Sequence, residues 1–138
     1  MADNLDMQKI ISWCQRYEVL LRVVYEDDEL RSFFQEYNAY QPMTRHIGVK
    51  KLLSKCMSDA YEAGVVINDY AKVIEEVNMS IDNIKTPSDE WVSTLSDKEI
   101  LACIAWHFRR DRFAEGSYIS EAVGKGYLLM FIKELLKR

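Results

Sequence analysis

The stretch from Ser96 to Phe108, SDKEILACIAWHF, decides the fold. Ser96 followed three residues later by Glu99 is a capping-box pattern. The serine hydroxyl can accept from the Glu99 amide while the Glu99 carboxylate returns to the Ser96 amide, so a helix begins here. Ile100, Leu101, Cys103, Ile104, Ala105, Trp106 and Phe108 make that helix apolar around most of its circumference. Such a helix is buried on several sides, and the rest of the chain has to surround it.

Downstream the sequence changes character. Arg109-Arg110-Asp111-Arg112-Phe113 leads to Gly116, where a positive-φ bend is expected, and Ser117 is expected to cap a short helix. Gly124-Lys125-Gly126 interrupts the chain again before a final helix in which Leu128, Leu129, Phe131, Ile132, Leu135 and Leu136 pack inward. Upstream, residues 85–95, with Pro87, Ser88 and Asp89, read as the longest polar break and as a surface loop. Before it, Asn68 is expected to cap one helix whose buried stripe is Tyr70, Val73, Ile74, Val77, Ile81 and Ile84.

Val65-Val66-Ile67 is the only β-prone triplet and is too short for a sheet, so an extended connector plugged into the core is expected. Ile47, Leu52, Leu53, Cys56, Met57, Ala60 and Tyr61 follow helical spacing in a helix that starts at Thr44 or Arg45 and is closed by a left-handed cap at Gly64. Asn38 to Thr44 is a loop. The four acids Glu26-Asp27-Asp28-Glu29 lack the alternate spacing and the glycine bend of a calcium loop; they suit the first turn of a helix, where exposed amides favour negative charge. That helix carries Leu30, Phe33, Phe34 and Tyr37. The first helix, opened near Asp3 or Asn4, bears Ile10, Ile11, Cys14, Tyr17, Leu20, Leu21 and Val24, with Trp13 marking the edge of the stripe. The expectation is one all-α domain over residues 1–138, of six to seven helices, with an N-terminal helical pair over residues 1–43.

Composition agrees. Apolar residues make up 49% of the chain, and five Gly and two Pro are few, whereas an all-β domain needs turn residues about every 8 to 12 positions. The net charge of −4 is unevenly spread: residues 1–103 carry 11 basic and 18 acidic groups, residues 104–138 carry 7 and 4. The chain thus lacks the basic surplus of a sequence-independent nucleic-acid binder. Cys14, Cys56 and Cys103 give neither a disulfide framework nor a C-x-x-C site, and each sits among apolar neighbours as a small buried hydrophobe. Reduced thiols, the lack of a basic-then-apolar leader and the lack of an apolar run of about 18 residues predict a soluble cytoplasmic protein with no membrane association.

Residues 44–138 resemble an uncharacterised family of short bacterial and phage proteins. That family's C-terminal signature is an apolar helix, then R-G-E-R-F with a glycine three residues on, a short helix, and a glycine before a Leu-rich final helix. The match runs through Arg109, Asp111, Arg112, Phe113, Gly116, Gly126, Leu128 and Leu129, and Tyr61-Glu62-Ala63-Gly64-Val65-Val66 is similar to its middle segment. Arg110 stands where the family has glycine. The resemblance implies no activity and no cofactor. It implies Phe113, Gly116 and Gly126 as structural residues, and it places the chain among phage and mobile-element proteins.

Two readings of the arginine run stay open. In one, Arg109 and Arg112 pair with acids such as Asp111, Glu115 or Glu121 while Phe113 anchors the turn. In the other, His107, Arg109, Arg110 and Arg112 form a patch that grips phosphate or an acidic partner. An enzyme is not expected. His46 and His107 are the only histidines and show no metal-ligand spacing, and no nucleophile elbow, phosphate loop or dinucleotide fingerprint is present. No catalytic residue, metal or cofactor is therefore assigned. The leading expectation is a non-catalytic protein-binding module, such as an inhibitor of a bacterial defence system like CRISPR-Cas acting by occlusion. The alternative is a nucleic-acid or phosphate-ligand binder. The aromatic residues Tyr25, Phe33, Phe34, Tyr37 and Tyr40 suggest a homodimer through the N-terminal half.

Overall fold

Nine helices and no strand form among the described residues of the computed structural model, which are 5–37, 47–111 and 117–138. Helix α1 (Met7–Glu26) starts at Asp6, whose carboxylate accepts from the Lys9 amide at 3.2 Å. Ile10, Cys14, Tyr17, Leu21 and Val24, spaced alternately by four and three, are all buried. Trp13 is not an edge residue. It is buried, and its Nε1 donates to the Cys56 carbonyl at 3.4 Å, whereas Leu20, counted in the stripe, is exposed. The alternating four-three spacing, which skips Leu20, is what faces the core.

A single residue, Asp27, joins α1 to α2 (Asp28–Glu36) and caps it by accepting from the Leu30 amide at 3.0 Å. Arg31 braces the corner, donating to the Tyr25 carbonyl at 2.7 Å and to Asp28 at 2.6 Å. Phe34 and Tyr37 turn inward and α2 packs on a later helix, so these two aromatics are not available for dimerisation; Tyr40 lies outside the described residues. Helix α3 (Ile47–Glu62) ends as expected at Gly64, φ +78°, with the Val65 amide reaching back to the Ala60 carbonyl at 2.9 Å. The proposed start at Thr44 or Arg45 also lies outside the described residues. Val65, Val66 and Ile67 are buried, in a segment between α3 and α4 that is neither helix nor strand.

The expected single helix over residues 68–84 is two. Helix α4 (Tyr70–Glu76) is preceded by Asp69, not Asn68, at the cap position, and it stops where Asn78 takes φ +51° and the Met79 amide closes on the Ile74 carbonyl at 3.0 Å. Helix α5 (Ile81–Lys85) restarts behind Ser80, whose hydroxyl accepts from the Asn83 amide. The break leaves Val77 and Ile81 exposed, although both fit the stripe. Within the expected loop, Ser88 caps a further short helix, α6 (Asp89–Ser93), whose first turn carries Asp89 and Glu90. These two local capping signals raise the count from six or seven helices to nine.

Helix α7 (Asp97–Arg110) opens with the capping box in full: the Ser96 amide donates to Glu99 at 2.9 Å and the Glu99 amide to Ser96 Oγ at 3.2 Å. Ile100 through Ala105 are without solvent exposure. Helix α4 packs against α7, as do α8 (Ser117–Gly124) and α9 (Tyr127–Lys137); α1 lies on α9 and α2 on α8. Each fully buried large side chain here, such as Ile104, Phe108 or Leu128, contributes about 1.5–3 kcal/mol relative to exposure. Gly126 starts α9 at φ +80° and lies so close to Tyr25 that a Cβ would come within 2.7 Å of its ring. This glycine therefore sets the contact between the end of α1 and the start of α9.

Candidate functional site

The surface where α7 emerges from the core carries Arg109 and Arg110, two of the four residues the sequence singled out. Basic side chains in the last turn of a helix meet its negative end, which favours them there. Arg109 is exposed and Arg110 is half-buried. Four residues apart on the same helix face, Trp106 and Arg110 meet: the Arg110 guanidinium lies 5.2 Å from the Trp106 ring and 4.3 Å from the Tyr118 ring of α8. Among the described residues neither Arg109 nor Arg110 pairs with a carboxylate. Arg112, Phe113 and Gly116 lie outside the described residues.

His107 does not belong to this surface. It is 5% exposed, with Nε2 2.8 Å from the Ile84 carbonyl and its ring packed edge-on to Trp106 and against Phe131. Burial holds its pKa down at about 4, against the carbonyl hydrogen bond, which favours the charged form. The neutral ring then donates from Nε2 to Ile84. The basic patch is thus Arg109 and Arg110 with two aromatic rings, and His107 is an internal tie between α7 and α5.

Asp111 takes a part the sequence assigned elsewhere. It is 2% exposed, and its Oδ1 accepts from the amides of Tyr118 at 2.8 Å and Ile119 at 3.2 Å. It therefore caps α8 from seven residues away and in doing so fixes Tyr118 over Arg110; the side chain of Ser117, the cap expected from the sequence, lies outside the described residues. Capping patterns read from sequence span three residues, so nothing local marked this one.

A second polar cluster joins α1 to α3. Asp59 accepts from the Tyr17 hydroxyl at 2.6 Å and pairs with Arg16 at 3.3 Å and Lys55 at 3.6 Å. The Tyr17 hydrogen bond, then the two cations, hold the Asp59 carboxyl below its usual range, while burial and Asp59 push the Tyr17 hydroxyl up. Beside the cluster an open groove of about 650 Å³ runs between the helices, with Lys9, Arg16, Asp59 and Glu62 along it. Its charges are mixed, and those of Asp59 and Arg16 are already used in joining the helices.

The three cysteines are buried, and burial pushes their thiols up, Cys14 and Cys103 to about 12, which disfavours the nucleophilic thiolate. Among the described residues no group of three or more His, Cys, Asp or Glu gathers to hold a metal ion, and no helix is long and apolar enough to cross a membrane. No protein-family model, no curated protein and no solved structure matches the chain.

Proposed function

We propose that the chain is a non-catalytic binding module that engages an acidic protein partner through Arg109, Arg110, Trp106 and Tyr118. The observation that carries this reading is the Arg110 guanidinium lying over two rings with no carboxylate among the described residues paired to it. Contact with the two rings restrains the guanidinium before any partner arrives, and its N–H donors suit a planar anion. Trp, Tyr and Arg are also the side chains that most often dominate the energetics of protein interfaces. Capture of partners from a bacterial lysate tests the reading, with the Arg109→Glu/Arg110→Glu double variant and Tyr118→Ala beside the parent chain. A partner retained by the parent and lost by both variants supports it. A partner retained equally by all three chains, or none captured, overturns it.

A nucleic-acid partner is the second reading, favoured by the same stack, since bases also lie on aromatic and guanidinium planes. Binding of a labelled oligonucleotide that weakens steeply with salt and disappears in the double variant would select it. The finer assignment, an inhibitor that occludes a bacterial defence complex such as CRISPR-Cas, rests on the proposed resemblance of residues 44–138 to a family of short bacterial and phage proteins. Target cleavage by purified effector complexes, with and without the chain, tests it. Unchanged cleavage together with no effector binding removes the assignment.

A further inference from the structure

We infer that Met79 is an oxidation site for small hydroperoxides, and that its conversion to the sulfoxide frees the segment between α4 and α5 from α7 and uncovers Cys103. Residues 75–83 join the buried Ile74 to the buried Ile84, and Met79 is the one side chain among them that is not exposed. Val77 and Ile81 would secure the segment if they faced the core, but they stand at 46% and 48% exposure. Met79 packs against the core and is half-buried, its Sδ accepting from the Cys103 thiol at 3.5 Å. Cys103, in the middle of α7, has no solvent exposure. Among the described residues no hydrogen bond or ion pair ties another side chain of the segment to α7. One sulfur–sulfur contact therefore holds the middle of the α4–α5 junction down.

A thioether needs no deprotonation to react. An Sδ lone pair attacks one oxygen of the hydroperoxide, the O–O bond breaks, and that oxygen stays on sulfur. The other leaves as water from hydrogen peroxide, or as an alcohol from an organic hydroperoxide, so sulfur loses two electrons and the peroxide gains them. Cys103 competes poorly: it is enclosed, and burial pushes its thiol up to about 12, which keeps the reactive thiolate scarce. The sulfoxide is polar and adds an oxygen to a side chain packed among apolar neighbours, which favours its moving out to water. Met57 and Met130 are half-buried too, but each lies within a helix whose neighbouring turns carry buried residues, so oxidation there has no exposed segment to release. At the far end, the His107–Ile84 hydrogen bond at 2.8 Å keeps α5 on α7 and confines the opening to the junction. The site is separate from Arg109 and Arg110, and the inference does not rest on the reading of that surface.

The test treats the folded full chain with dilute hydrogen peroxide, maps methionine oxidation by peptide mass spectrometry and, after the peroxide is removed, labels the cysteines with iodoacetamide. Cys103 labelling is expected to rise about tenfold or more in chains that carry the Met79 sulfoxide, through local opening, while Cys14 and Cys56 stay protected. Met79→Leu keeps an apolar side chain without an oxidisable sulfur and is expected to hold Cys103 closed through the same treatment. Met79→Gln places a polar group there and is expected to open Cys103 with no oxidant. Oxidation of Met79 more slowly than of Met57 and Met130 overturns the site. The coupling is overturned by Met79 sulfoxide with Cys103 still closed, or by a Met79→Leu chain that peroxide opens as it does the parent. Labelling of all three cysteines together overturns the local release, because unfolding alone would then account for it.

Discussion

At the scale of single residues, His107 makes the most testable statement. Its pKa in the folded chain is about 4 because it is buried against Trp106 and Phe131, whereas in the unfolded chain it returns to about 6.5. Between those values the unfolded chain holds a proton that the folded chain does not, so stability is full above pH 6.5 and falls as the pH drops toward 4. The loss reaches about 3 kcal/mol by pH 4. Urea unfolding at a series of pH values should show the parent losing stability relative to His107→Gln over this window, and parallel curves would refute the assignment. Gly126→Ala places a Cβ 2.7 Å from Tyr25 at φ +80°, and a loss of about 2 kcal/mol or more is expected from the left-handed backbone and the clash together, read as a lowered urea midpoint. Periodicity could not orient His107, because a helix apolar all round has no polar face against which to judge it. Trp13 was misplaced for a different reason: its one-residue offset from the α1 stripe is spanned by the reach of its indole to Cys56.

At the scale of elements, the helix boundaries separate into those set by a local pattern and those set by distant partners. The capping box at Ser96 and the left-handed end at Gly64 were legible because each needs only neighbouring residues. Asn78 and Ser80 carried the same kind of signal, but Val77 and Ile81 continue the 3.6-residue rhythm and masked the break. Asn78→Ala, which keeps φ +51° without the tolerance of asparagine for that region, should cost about 1 kcal/mol, and Asn78→Gly should not. Thermal melts of the two variants check this, and equal losses would mean that the left-handed turn is not what separates α4 from α5. Asp111 is of the other class: its carboxylate takes the Tyr118 and Ile119 amides across a turn, and sequence spacing alone cannot announce it. Asp111→Asn keeps the shape and removes the charge that complements the start of α8. It should destabilise by about 1 kcal/mol and loosen Tyr118 from Arg110, visible as a change in the Trp106 fluorescence environment. The candidate surface was accordingly half legible, Arg109 and Arg110 from composition but Trp106 and Tyr118 only once α8 was placed.

At the scale of the whole molecule, the sequence supplied apolar faces but not which face meets which. The pairing of α2 with α8, and of α1 with α9, joins residues about a hundred positions apart. The three cysteines report on whether those long-range pairings make one unit. Cys14 lies in α1, Cys56 in α3 and Cys103 in α7, all three are buried, and all three thiols are shifted up by burial. A thiol reagent should therefore leave the native chain unlabelled and modify all three sites in denaturant. In between, the dependence on urea distinguishes two architectures. If the helices share one cooperative core, every thiol is exposed by the same global opening, and the three labelling rates rise with a common slope and midpoint. If α3, joined to α1 chiefly through Trp13 and the Asp59 cluster, opens on its own, Cys56 reacts first and with a shallower slope. Asp59→Asn weakens that junction without touching α7, so it should advance Cys56 labelling while Cys103 keeps the parent's midpoint only in the second case. In a single core, site-resolved mass spectrometry of the labelled peptides should instead show all three sites shifting together.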